Sequence, residues 1–173
     1  MNIILIGMPG CGKSTVGNIL SKLIGYRFLD TDFVIQNMEG KVLQDVIDED
    51  GLFAFMTAEE KALCSVYCDF TVIATGGSAV YSERGMRYLS TMGKTVYLRC
   101  EIPEIQKRLT NLASRGVAGA KGKSLEDLFE ERQPLYEKYA DCIVDADVGE
   151  AYDVAMKIVD YLKKDIIASR IVF

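Results

Sequence analysis

Gly7-Met8-Pro9-Gly10-Cys11-Gly12-Lys13-Ser14-Thr15 is the stretch on which the reading of this chain turns. It fits G-x-x-x-x-G-K-[ST], the phosphate-cradling P-loop, and its flanks are the ones that motif requires. Asn2-Ile3-Ile4-Leu5-Ile6 before it is a short apolar run of the kind found in buried parallel strands. After it, residues 15–24 carry Val16, Ile19, Leu20, Leu23 and Ile24 at helical spacing. Glycines at 7, 10 and 12 lack a Cβ, so the backbone can turn consecutive N–H groups onto a polyphosphate while the helix N-terminus adds partial positive charge. Gly10, Cys11, Gly12, Lys13, Ser14 and Thr15 are therefore the expected nucleotide contacts. Within this set Lys13 reaches the β- and γ-phosphates, and the Ser14 hydroxyl is a ligand for nucleotide-bound Mg²⁺.

Length and composition narrow the classes. A chain of 173 residues suits one domain with a sizeable core. It is 49% hydrophobic and 26% charged, and has no apolar run near the roughly 18 residues a membrane helix needs. With no basic leader before the first apolar run, the expectation is a cytoplasmic protein with no membrane partner. A net charge of −5 argues against a surface built for nucleic acid. The cysteines, at 11, 64, 68, 100 and 142, are odd in number and scattered, which is not a disulfide framework. Cys64 and Cys68 lie one helical turn apart and read as two buried small hydrophobes. The chain has no histidine, which removes Ser-His and Cys-His nucleophile systems, whereas phosphoryl transfer needs only positioning and charge.

Along the chain, Gly25 and Tyr26 close the first helix, and Arg27-Phe28-Leu29 form a second strand ending in Asp30-Thr31-Asp32. In an open α/β sheet ligands sit at the carboxyl ends of the strands, so one carboxylate of this pair can face a metal and the other an acceptor hydroxyl. The same residues can cap the helix that carries Phe33, Val34, Ile35 and Met38. Gly40 ends that helix, Leu43, Val46 and Ile47 indicate another short one, and Asp48-Glu49-Asp50 is a solvated run. Residues 52–68 are helical, with Phe53, Phe55, Met56, Leu63, Val66 and Tyr67 available to pack and Glu59 and Glu60 assigned to the surface. The β-branched run 70–74 is a third strand, and its Thr75-Gly76-Gly77-Ser78 end allows close backbone approach to a ligand or makes a tight turn. Residues 82–92 form a helix, 94–98 a fourth strand, and 102–112 a helix with Arg108. Glycines and cations with little packing surface over 113–123 mark a mobile loop, either an active-site cover or a disordered stretch. Residues 124–141 are helical behind a Ser124 cap, 142–145 a fifth strand, and 152–164 a closing helix with Val154, Ile158, Tyr161 and Leu162 inward. The apolar tail 166–173 receives no assignment.

These pieces occur in one order: the P-loop, Leu29-Asp30-Thr31-Asp32, Thr75-Gly76-Gly77-Ser78, a glycine-rich loop with Arg115, Glu131-Arg132-Gln133-Pro134-Leu135-Tyr136, then Tyr139-Ala140-Asp141. Together they resemble the shikimate kinase family over nearly the whole chain. The resemblance implies a three-layer α/β/α P-loop fold of the nucleoside monophosphate kinase type. It implies a five-stranded parallel sheet of order 2-3-1-4-5, a substrate-binding segment at about 32–62 and a lid at about 113–124. It implies an ATP- and Mg²⁺-dependent phosphotransferase acting on a small-molecule alcohol, in the shikimate pathway of aromatic amino acid biosynthesis, working as a monomer. Residue by residue, Lys13 and Ser14 hold ATP phosphates and Mg²⁺, and Asp30 is a metal ligand through water. Asp32 is the carboxylate on the acceptor hydroxyl, and Gly76 and Gly77 lie against the acceptor ring. Arg115 is similar to the lid arginine on the moving phosphoryl group, Arg132 to the acceptor-binding arginine and Arg108 to the adenine-stacking arginine.

The departures fall on the acceptor side. The family's Phe-Arg-x-x-Glu reads Phe55-Met56-Thr57-Ala58-Glu59 here, so a thioether stands where a guanidinium pairs with the shikimate carboxylate. Losing that charge-assisted contact, about 1.5–3 kcal/mol, weakens a carboxylate acceptor some ten- to hundredfold. Ser78 replaces a third glycine and adds a hydroxyl near the acceptor, and Arg115-Gly116-Val117 stands where Arg-Pro-Leu is usual. The nucleotide side is intact. The expected activity is thus phosphorylation of shikimate; the other readings are a kinase of the same fold for a different small hydroxylated metabolite, and a nucleotide-binding protein without turnover.

Overall fold

The computed structural model describes residues 1–109 and 122–170. Its elements alternate from the start: β1 Asn2–Ile6, α1 Lys13–Ile24, β2 Arg27–Asp30, α2 Thr31–Glu39, a three-residue α3 Leu43–Asp45 running into a π-helical turn Val46–Asp50, and α4 Leu52–Ser65. They continue with β3 Thr71–Ala74, a 3₁₀ turn Ala79–Tyr81, α5 Glu83–Met92, β4 Gly93–Arg99, α6 Ile102–Leu109, α7 Leu125–Tyr139, β5 Cys142–Asp145 and α8 Ala151–Arg170. The strands form one sheet of order β2-β3-β1-β4-β5, and every pairing is parallel. This is the order the resemblance implies.

Burial explains the strand sequences. β1 and β3 are flanked on both sides and buried at every position, hence their unbroken apolar runs. At the sheet edge β5 alternates, with Cys142 and Val144 inward and Ile143 and Asp145 outward. Helix α1 lies against the sheet at Gly17, where a Cβ would stand 2.6 Å from the Phe28 ring. The main core joins the sheet to α1, α5 and α8. A second, smaller cluster of Ile35, Val46, Phe55, Ala58 and Ala62 ties α2, the π-helical turn and α4 together beside the carboxyl edge of β2 and β3.

Several local expectations are corrected. Helix α4 ends at Ser65, three residues short of the expected Cys68, because Val66 turns extended with ψ 121°. Tyr67 consequently points to solvent, and Phe53, two positions before the inward Phe55, lies on the opposite face of α4 and is exposed as well. Cys64 and Cys68 are half-buried rather than buried. The closing helix runs to Arg170 and takes in Ile166, which is buried. Tyr161 is 58% exposed instead of inward, its ring lying along the surface while its hydroxyl donates to Asp141 O at 3.0 Å. Most of the lid region, with Arg115, lies outside the described residues. Among the described residues, no helix is long and apolar enough to cross a membrane.

Candidate active site

The phosphate loop is held open by its glycines. Gly7, Gly10 and Gly12 take φ of 146°, 80° and 100°, backbone that side-chain-bearing residues rarely adopt. Gly12 is the N-cap of α1 and supplies no side-chain cap, so the first N–H groups of the helix face the loop. Lys13 is buried, and its Nζ donates to Gly7 O at 2.7 Å and Met8 O at 2.8 Å, with Cys11 Sγ at 3.7 Å. The ammonium therefore sits inside the curl of the loop.

Strand β2 carries Asp30 to the same edge. Ser14 Oγ donates to Asp30 Oδ2 at 2.7 Å, and Asp30 Oδ1 accepts from the Asp32 N–H at 3.1 Å, capping α2. The cap and the Ser14 contact coexist because a carboxylate has two oxygens. The paired Ser14 and Asp30 oxygens are hard donors of the kind Mg²⁺ takes.

Arg108 forms the far wall of the nucleotide end. Its Nη1 donates to Cys11 O at 3.2 Å, Nη2 to Ala146 O at 3.0 Å and Nε to Glu104 Oε1 at 2.9 Å, so it ties the loop to the β5–α8 turn.

On the other side, Thr75 bonds Leu5 O, Gly76 N–H donates to Thr31 Oγ1 at 3.3 Å, and Tyr136 OH donates to Gly77 O at 2.6 Å. This turn is tightly enclosed: a Cβ on Gly77 would stand 2.7 Å from Pro9 Cδ, and one on Gly76 2.3 Å from Glu59 Oε1. Arg132 is fully buried, donates from Nε to Tyr81 OH at 3.1 Å and stacks over the Tyr81 ring at 5.2 Å.

One cavity of about 530 Å³ joins the two ends. Its walls include Gly10 to Thr15, Asp30, Asp32, Gly76, Gly77, Ser78, Arg108 and Arg132, so every described residue singled out from the sequence meets in one place. Arg115 lies outside the described residues.

Glu59 is the correction. Assigned to the surface from sequence, it is 2% exposed, and its Oε1 has no hydrogen-bond partner among the described residues. Desolvation pushes its carboxyl up to about 7; the neighbouring Asp32 charge adds to the rise, while the Ser78 hydroxyl and the charges of Arg132 and Lys13 oppose it. A signal was present: Phe55, Ala58, Glu59, Ala62 and Leu63 are the buried residues of α4 and fall at i, i+3, i+4, i+7 and i+8. Tyr136 and Tyr81, which hold Gly77 and Arg132, had no comparable signal of their own.

This geometry agrees with what the chain resembles. The family model for shikimate kinase matches residues 9–163. Shikimate kinase 2 of Dickeya chrysanthemi is 34% identical over 153 residues, covering 83% of this chain and 86% of that one. The shikimate kinase of Francisella tularensis subsp. novicida is 32% identical over 170 residues, covering 96% and 97%. Among solved structures, the Acinetobacter baumannii shikimate kinase in complex with shikimate matches with a TM-score of 0.85 at 31% identity, covering 95% of this chain and 93% of that one. The Aquifex aeolicus shikimate kinase matches with a TM-score of 0.80 at 28% identity, covering 95% and 98%. A phosphate loop, a pair of carboxylates at the strand edge and a buried arginine around one cavity, in a chain matched over most of its length in this way, lead to one assignment: the chain belongs to the shikimate kinase family.

Proposed function

We propose that this protein is an ATP- and Mg²⁺-dependent kinase that moves the terminal phosphoryl group of ATP onto the 3-hydroxyl of shikimate, releasing ADP and shikimate 3-phosphate. The observation that carries this reading is the shared cavity, which the phosphate loop, Asp32, Gly76 and Gly77 line together. Asp32 orients the acceptor hydroxyl and takes its proton as the new O–P bond forms and the bond to ADP breaks. Lys13, already inside the loop, offsets charge on the phosphates, and Arg115 is assigned to the moving phosphoryl group. Ser14 and Asp30 would hold a nucleotide-bound Mg²⁺, which would supply further charge neutralisation. Arg108 stacks on the base, while Gly76, Gly77, Ser78 and Arg132 hold the acceptor. The protein works as a cytoplasmic monomer without nucleic-acid or membrane partners.

Met56 favours a second reading, a kinase of this family for a different hydroxylated acceptor, because no cation stands at that place on α4. The deciding experiment is coupled ADP release with Mg-ATP, comparing shikimate at rising concentration with gluconate, homoserine and nucleoside monophosphates, and Lys13→Ala as the blank. Saturable turnover on shikimate is the expected result. Turnover on another acceptor alone would replace shikimate with it, and none on any acceptor would leave a nucleotide-binding protein without turnover.

A further inference from the structure

The acceptor end of the cavity presents an electrostatic problem. Asp32 Oδ1 and Glu59 Oε1 converge beside Gly76, at 3.4 Å and 2.3 Å from the position a Cβ would occupy there. Two carboxyl groups this close do not both carry charge at little cost, and an acceptor that is itself a carboxylate adds a third. Directly after Phe55, the first member of the buried stripe, α4 offers Met56, a half-buried thioether without charge. The partner of Glu59 is instead the Ser78 hydroxyl, from the turn after β3.

We propose that Glu59 is a specificity-determining residue that acts through its charge: packed beside Asp32, it meets the acceptor as a neutral acid and so admits an anionic acceptor where Met56 supplies no cation. This rests on the reading of the acceptor as a carboxylate. The chain solves the repulsion by removing an anion rather than by adding a cation. Burial holding the carboxyl up at about 7 is consistent with that state.

The charged groups around Glu59 set where the state changes. From α2, Asp32 favours the neutral form; from α7 and the phosphate loop, Arg132 and Lys13 favour the anion, as does the Ser78 hydroxyl. The 3₁₀ turn brings Tyr81, whose hydroxyl accepts from Arg132. On α5, Arg84 faces Glu60, and the π-helical turn's Glu49 and Asp50 pair with Lys41. Above neutrality Glu59 ionises, a second negative charge appears beside Asp32, and the anionic acceptor is repelled.

The test is initial-rate kinetics of the full chain from about pH 6 to about pH 8.5, varying shikimate at saturating Mg-ATP and then the reverse. The KM for shikimate rises about tenfold or more across that range, along a single-ionisation curve, while the KM for ATP does not follow it. In Glu59→Gln the rise disappears. In Ser78→Gly, which removes a group favouring the anion, it moves to higher pH. A wild-type KM for shikimate that is flat with pH, or a Glu59→Gln variant that keeps the wild-type rise, overturns the proposal. A second measurement does not depend on the acceptor or on the variant's activity: ¹³C-carboxyl NMR of the glutamates in the wild-type protein. A resonance titrating near neutrality and absent from Glu59→Gln supports the proposal, and a Glu59 midpoint below about 5 overturns it. Failure of the functional reading looks different, as absence of ADP release with shikimate at every pH.

Discussion

Replacing Tyr136 by phenylalanine removes one hydroxyl from the centre of the site, together with its hydrogen bonds to Gly77 and Arg132. Tyr136 is fully buried on α7, its ring stacks on Tyr97 with centroids 5.0 Å apart and planes 24° apart, and its hydroxyl donates to Gly77 O at 2.6 Å. Phenylalanine keeps the ring and its stacking, so the change is confined to the hydroxyl and the groups it touches, Gly77 O, the Arg132 guanidinium and Met8 Sδ. Leaving a buried carbonyl without its donor costs about 1–3 kcal/mol. Taking about 2 kcal/mol, and about 2–4 °C per kcal/mol for a chain of this size, the melting temperature falls by about 4–8 °C. Tyr152→Phe is the control: that ring is 53% exposed, and its loss of a hydroxyl stays within about 0.5 kcal/mol. Both variants are read by calorimetry or by thermal melts followed by circular dichroism. Because Gly77 sits against Pro9 of the phosphate loop, kcat/KM for the acceptor falls in Tyr136→Phe as the turn gains freedom. A fall in melting temperature of less than about 1 °C, or equal falls in the two variants, would refute the claim that this bond fixes the turn.

Asp32→Asn lowers turnover by about 10²–10⁴ while nucleotide affinity, measured by calorimetric titration, stays near the wild-type value; ADP release at the wild-type rate would remove Asp32 from the mechanism. Met56→Arg restores a charge-assisted contact of about 1.5–3 kcal/mol and lowers the KM for shikimate about ten- to hundredfold, and an unchanged or raised KM would count against the acceptor assignment. Glu59 also makes folding pH-dependent. Its carboxyl goes from an ordinary 4.5 to about 7 on folding, so the native state keeps a proton that the unfolded chain releases. The stabilising contribution is complete below about pH 4.5 and is lost as pH rises through about 7, about 3 kcal/mol at about 1.4 kcal/mol per pH unit. Urea unfolding near about pH 5 and about pH 8 therefore shows a larger loss of stability for the wild type than for Glu59→Gln, and equal losses would contradict the buried neutral state.

The sheet was legible because its central strands have no solvent face. The apolar runs of β1 and β3 need no partner to be recognised, and the glycines after them mark the edge where ligands gather. Element ends were harder, since they depend on what lies alongside. The closing helix is expected to stop at residue 164, yet the inward series Val154, Ile158, Leu162 and Ile166 keeps its four-residue step past that point. Tyr161 counted as apolar although its hydroxyl has a use at the surface. The π-helical turn at Val46–Asp50 has no periodicity that distinguishes it from an ordinary short helix.

The two halves of the site differ in legibility for a physical reason. Phosphate binding is done largely by backbone, and the glycines, lysine and serine that permit it are contiguous, so the nucleotide half is written in one stretch. The acceptor half is assembled from α2, α4, the turn after β3 and α7, and the meaning of each side chain depends on what the others bring. Glu59 is the clearest instance. Composition places a glutamate outside, but the helical step places this one on the inward stripe between Phe55 and Ala62, and only the approach of the Gly76 turn and Asp32 shows that the step wins. A carboxyl can occupy that stripe at tolerable cost when it gives up its charge, and the same neutrality lets a site without a cation at Met56 accept an anion. Burial and specificity are then two consequences of one protonation state, which is why replacing Glu59 by glutamine should flatten both the acceptor's pH dependence and that of folding.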